Sequence, residues 1–251
     1  MDRDTDIGGP KDQFPLTRCS VVKGLESGDA SARQTAFAEL VEAYWKPVYK
    51  YVRLKWTLAN EDAKDLTQAF FARALEKDYF QRFDPAKAKF RTFLRVCVDG
   101  FLANEDKAAN RLKRGGGKEF LSLDFAGAQH EFELQKVSAG TDPDVFFQQE
   151  WIRHLFAMAV DDLHRECETN GKSVHFALFS KYDLQDPDLA KSVSYAQLGE
   201  EFGIAVTQVT NFLNFARRRF RQLLLDRMRA ATGNEEEFQA EVRKLMGGNP
   251  R

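Results

Sequence analysis

The chain has few of the residues that reactive or covalently stapled sites require. Of its 251 residues only three are cysteine, four histidine and seven proline. Cys19, Cys97 and Cys167 are an odd, scattered set without CxxC spacing, which argues against both a disulfide framework and a zinc site. No apolar run approaches the roughly 20 residues needed to span a bilayer. Met1 to Pro10 is polar and acidic, so no secretory signal is expected there, and the chain is expected in the cytoplasm. No Asn-Gly hairpin signal lies between alternating segments. The three glycines before Lys118 lack the GxxxxGK[ST] pattern and a preceding strand, so they do not form a phosphate loop. His164 and Cys167 share a helical face, but a metal would need two further ligands and none is nearby in sequence. His130, His154 and His175 have no paired nucleophile, and Asp161-Asp162 point different ways on a helix. The expectation is therefore no catalysis, no cofactor and no metal.

What remains is an ordinary soluble composition, 43% hydrophobic and 30% charged, with a net charge of −1. The charge is unevenly distributed. Lys107, Arg111, Lys113, Arg114 and Lys118 face only Glu105 and Asp106, and six arginines between 217 and 229 face only Asp226. Between these basic clusters, acids dominate the charged residues of 119–170, where Lys136, Arg153 and Arg165 are the only lysine or arginine. A solvated helix face explains any one such cluster more often than nucleic acid does; position must decide.

Helical periodicity dominates, and the expected fold class is all-α: two helical domains joined by a flexible linker, the second containing a helix-turn-helix. The expected boundaries are 25–117, a linker over 118–145, a second domain over 146–230, and a tail over 231–251. A first helix spans roughly Ser31 to Trp56, with Pro47 expected to kink or split it. Asn60 is a candidate N-cap for a second helix that turns Ala63, Leu66, Phe70 and Ala74 inward. Tyr79 to Lys89 reads as a loop. The helix after it spaces Phe90, Leu94, Cys97 and Phe101 by four, three and four, and ends at Gly115. Further helices are expected near 146–168 and 174–184, and a last one through Phe238, Val242 and Leu245.

Two patterns carry more than fold. Ser194-Tyr-Ala-Gln197 is a capping box opening a short helix that ends at Gly203. A longer helix follows, with Val209, Leu213, Ala216 and Phe220 on its inner side. Thr207, Gln208, Thr210, Asn211 and Asn214 lie near its start, and Arg217, Arg218 and Arg221 lie further along. Short amides at a helix start reach base edges in a major groove, and arginines further along meet phosphates. A helical hairpin within a bundle has the same pattern. The second pattern, Glu61 to Phe71, is an amphipathic helix with an acidic outer edge suited to a basic partner surface; a solubilising face looks the same.

Taken in order, these motifs resemble those of sigma factors of the extracytoplasmic-function group. Asp-Ala-x-Asp-Leu-Thr-Gln-x-x-Phe, then Phe-Asp-Pro and Phe-Arg-Thr-Phe-Leu, then a basic helix ending in Lys-Arg-Gly-Gly-Gly, is similar to sigma region 2. Ser-Tyr-Ala-Gln-Leu-Gly-Glu-Glu-Phe-Gly-Ile and the helix after it are similar to region 4. The resemblance covers roughly 30–117 and 148–225. It implies core RNA polymerase (β′ coiled coil, β flap) and promoter DNA as partners, with an anti-sigma factor as a further candidate and no membrane. It assigns polymerase binding to Asp62, Asp65, Gln68 and Phe71. The segment Phe83 to Phe93 would hold the promoter strand open, with Phe90, Arg91, Phe93 and Arg95 on DNA and Lys107, Arg111, Lys113 and Arg114 on phosphates. Thr207, Gln208, Thr210, Asn211, Asn214, Arg217, Arg218 and Arg221 would read the second promoter element. The chain departs from the pattern at Phe93, where relatives have tryptophan, at Asp99-Gly100, where they have arginine and asparagine, and at Ala205, where they place serine and where Thr207 is the candidate substitute cap. The other readings are a helix-turn-helix regulator working without polymerase and a helical interaction adaptor.

Overall fold

A computed structural model describes residues 21–25, 27–109, 123–135, 137–138, 140–185 and 193–245. Among these residues the fold is all-helical, with no strand. None of the helices is long and apolar enough to cross a membrane.

A short turn of helix, α1 (Val21–Gly24), leads to the 26-residue α2 (Ala30–Lys55), whose N-cap Asp29 accepts the Ser31 N–H at 3.0 Å. Helix α2 runs through Pro47 without a break, correcting the expected split. Pro47 is itself buried, so its ring serves packing and the lost N–H costs one hydrogen bond. Helix α3 (Asn60–Glu76) starts one residue earlier than expected, after Ala59, and the Asn60 side chain instead accepts the Tyr49 hydroxyl at 2.6 Å. The expected loop holds a 3₁₀ turn over Tyr79–Arg82 before α4 (Phe90–Ala109). Then follow α5 (Phe125–Leu134), α6 (Pro143–Thr169), α7 (Ser173–Asp183), α8 (Tyr195–Phe202), α9 (Val206–Ala230) and α10 (Glu235–Leu245).

Two hydrophobic clusters organise these helices. The first joins α2, α3 and α4 to Phe125 and Ala128 of α5, to Phe147, Trp151, Leu155 and Met158 of α6, and to Leu224 and Met228 of α9. Ala231 and Phe238 close it from the C-terminal side. The second joins Leu163 and Cys167 of α6 to Leu178 and Phe179 of α7, Leu198 of α8, and Val209, Leu213 and Ala216 of α9. Helices α6 and α9 therefore each belong to both clusters. With 27 residues, α6 is about 40 Å long at 1.5 Å per residue, enough to cross from one cluster to the other.

This changes the expected connection. The segment read as a linker contains α5, which buries Phe125 at 6% and Ala128 at 0% exposure. Polar contacts fix it as well: Glu131 pairs with Lys46 at 2.9 Å and Lys50 at 2.8 Å, and Gln129 accepts from Arg53 at 2.6 Å. Lys50 is almost fully buried, and Glu150 of α6, equally buried, stands 2.8 Å from it. The two clusters are coupled by the continuous helices α6 and α9. The expected tail likewise packs, with the Tyr44 hydroxyl donating to the Ala231 carbonyl at 2.6 Å.

Candidate nucleic-acid interface

Helix α8 begins as its sequence dictates. The Ser194 hydroxyl accepts the Gln197 N–H at 3.2 Å, and Gln197 accepts the Ser194 N–H at 2.7 Å. It ends at Gly203, whose φ of 65° is left-handed and favours glycine. The turn is tight: a Cβ on Gly199 would stand 2.8 Å from the Ile204 carbonyl oxygen. Helix α9 then starts at Val206 with only half a cap. Ala205 offers no side-chain acceptor, but its N–H donates to the Gln208 side-chain oxygen at 3.0 Å. Thr207 makes no cap bond, so it does not replace the serine expected at that place.

Buried Val209, Leu213 and Ala216 fix the inner side of α9. The opposite face carries Thr207, Asn211, Asn214, Arg218 and Arg221, all exposed and spaced by four, three, four and three. These 14 residue steps extend about 21 Å along the helix axis. Gln208 is exposed beside this row but has its side-chain oxygen engaged by the cap. Thr210 is half-buried and its hydroxyl donates back to the Val206 carbonyl, so it turns away from the row.

The six arginines of α9 divide sharply. Arg217 is not a free cation: its guanidinium forks onto Asp183 at 2.9 Å, reaches the Tyr195 hydroxyl at 3.3 Å and lies over the Tyr182 ring. The Asp183 hydrogen bonds hold it in its charged form, well above its ordinary pKa. Arg219 pairs with Glu166, Arg227 with Asp162 and Glu42, and Arg229 with Glu235. Burial pushes the Asp162 carboxyl up, but Arg227 and Arg165 together outweigh it and leave the carboxyl below its usual range. Among the described residues, Arg218 and Arg221 alone of the six have no carboxylate partner. Part of the second basic cluster is thus paired internally with the acidic middle, Arg219 and Arg227 of α9 with Glu166 and Asp162 of α6.

The acidic edge of α3 is exposed at Asp62 and Asp65, neither of which has an ion-pair partner among the described residues. Gln68 is half-buried. Phe71, expected to face a partner, is 2% exposed and packs against Phe70.

The start of α4 differs most from expectation. Phe90 is 0% exposed, ringed by Tyr44, Phe80, Phe83 and Phe93. The four-three-four spacing that places it inside is the cause, and it leaves the Phe90 ring no free face for DNA. Arg91 is 6% exposed, lies over Trp151, and pairs with Glu241 of α10 at 2.9 Å. Phe93 is half-buried against the same cluster. Arg95 pairs with Asp144 at 2.9 Å and with Asp99 at 3.4 Å. Asp99 also accepts the Tyr51 hydroxyl at 3.0 Å and pairs with Lys55 at 2.8 Å, so this unexpected acid is a neutralised node. Nothing in the structure requires glycine at 100, where a Cβ would meet open space. The Lys107 side chain and Arg111, Lys113 and Arg114 lie outside the described residues.

Sequence reasoning missed Asp183, Tyr195 and Glu241, the groups that immobilise Arg217 and Arg91, and Glu237, which accepts the Phe90 N–H. Only the i,i+4 spacing of Glu237 and Glu241 hinted at one acidic face, and it names no partner. No protein-family model, no curated protein and no solved structure matches the chain.

Proposed function

We propose that this chain is a sigma-type initiation factor, which binds core RNA polymerase and carries it to promoter DNA in the cytoplasm. The reading follows the order of the sequence motifs. It rests on one structural observation: the exposed row Thr207, Asn211, Asn214, Arg218 and Arg221 on α9, just after a capped short helix and a glycine turn. That geometry suits a helix-turn-helix whose second helix enters a major groove. Amides near its start would meet base edges, and Arg218 and Arg221 would meet phosphates. Asp62 and Asp65 would supply the polymerase-facing edge, since both are exposed and unpaired among the described residues. The first cluster with α2, α3 and α4 and the second with α7 and α8 would act as the two promoter-contacting units, coupled through α6 and α9. Each weak DNA contact would then raise the effective concentration of the other.

Run-off transcription with core polymerase on a genomic DNA library tests this directly and returns the promoter. Band shifts with and without polymerase separate the alternatives. A sigma-type factor shifts promoter DNA strongly only with polymerase, a stand-alone regulator shifts it alone, and an adaptor shifts it in neither case.

A further inference from the structure

Helix α10 lies over the start of α4 and supplies anionic groups where a bound phosphate would be held. The Glu237 carboxylate accepts the Phe90 N–H, at the first residue of α4, at 3.2 Å, and the Gly233 N–H at 2.9 Å. One helical turn on, Glu241 pairs with Arg91 and with Lys89. Carboxylates thus occupy both the N–H at a 20-residue helix start and the cations beside it, a combination that binds phosphate. The fit is incomplete. Arg91 is more than nine-tenths buried, yet its Nη1 has no hydrogen-bond partner. Burial also pushes the Glu237 carboxyl up despite the two backbone donors. Gly233 covers the Phe83 ring so closely that a Cβ there would stand 2.5 Å from it. On its other side α10 borders an open cleft of about 1530 Å³, lined by Tyr44, Arg227, Phe238 and Val242 among others. Room to move is therefore next to it.

We infer that α10 is an intramolecular cover, and that its displacement opens a site for single-stranded DNA. Lys89, Arg91 and the Phe90 N–H would hold the backbone phosphates, and the Phe83 ring would stack a base. This rests on the promoter-binding reading above. It adds that the protein alone is closed at that site, and that Glu237 and Glu241 compete with the strand. Protein without polymerase should bind single strands poorly, because two carboxylates must leave before a phosphate enters.

Gly233→Ala tests the cover without removing a charge or changing any residue of α4, since the added methyl would stand 2.5 Å from the Phe83 ring and 3.1 Å from Glu237 Oε2 and so drives the segment off both. Affinity for a fluorescent single-stranded oligonucleotide should rise about tenfold or more, as expected for one stacked base plus its phosphate contact. Glu237→Gln with Glu241→Gln should raise it similarly, and adding Arg91→Ala should abolish the gain. In the unaltered protein, saturating oligonucleotide should speed amide exchange over residues 235–245, a measurement independent of how well any variant folds. Unchanged affinity in variants that still bind core polymerase, or unchanged exchange in the DNA-bound protein, overturns the cover and leaves the initiation reading standing. No association with polymerase and no transcription from any form overturns both.

Discussion

The starts of α4 and α9 were both expected to touch DNA, and the structure treats them in opposite ways. Each carries arginine on the same helix as residues able to contact bases. At α4 those residues are aromatic and periodic with the core, so Phe90 is 0% exposed and Arg91 6%. At α9 they are short and polar and out of phase with Val209, Leu213 and Ala216, so they stay in solvent. Aromatic character alone does not mark a binding site. The phase of a residue relative to the buried stripe separates the two cases, because side chains three and four positions apart share one face.

The largest test of that difference is truncation. Phe90→Ala removes a fully buried ring from the first cluster and should cost about 3–5 kcal/mol. Asn211→Ala at the start of α9 should stay within about 0.5 kcal/mol. Urea unfolding of the two variants checks both, and similar losses would erase the contrast.

A pH titration probes the first cluster next. His154 is 8% exposed, its Nε2–H donates to the Glu42 carbonyl at 2.7 Å, and its Nδ1 is buried without a partner. Burial lowers its pKa from 6.5 to about 4. The unfolded chain therefore takes up a proton below about 6.5 that the folded chain refuses. Stability should fall as pH drops from 6.5 toward 4, by about 3 kcal/mol over the full window. His154→Gln should flatten that part of the profile, leaving the carboxylates to account for the remaining slope. An identical profile in the variant would remove His154 as its source.

How legible these regions were follows the same division. Helical class, the capped α8, its glycine stop and the inner stripe of α9 could be read from the sequence, because capping and periodicity act within a few residues. The fate of the arginines could not. Arg217 is fixed by Asp183, 34 positions away, and Arg91 by Glu241, 150 positions away. No local pattern carries such pairings. The docking of α5 was hidden for a related reason: a ten-residue helix buries only Phe125 and Ala128, too few to set up a period.

Within α9 itself the same comparison can be sharpened. Arg227 bridges Asp162 at 2.6 Å and Glu42 at 3.2 Å. Arg227→Ala leaves the largely buried Asp162 with Arg165 as its remaining cation, and should cost about 1–3 kcal/mol. Thermal unfolding would register this as a lower midpoint. A variant as stable as the parent would mean the pair is screened and its arginine is free for another partner.

The smallest expected effect on stability belongs to Arg218→Ala with Arg221→Ala. Neither side chain pairs with a carboxylate among the described residues, so folding should change by less than about 0.5 kcal/mol. Binding should respond quite differently. Removing one arginine from a phosphate reduces the slope of log affinity against log salt by about 0.9, so the double variant should flatten it by nearly two. Arg217→Ala should do the reverse: it frees Asp183, lowers stability and leaves the slope nearly intact. If instead Arg217→Ala flattened the slope and the double variant did not, the division between paired and free arginines would fail, and with it the assignment of the exposed row to DNA.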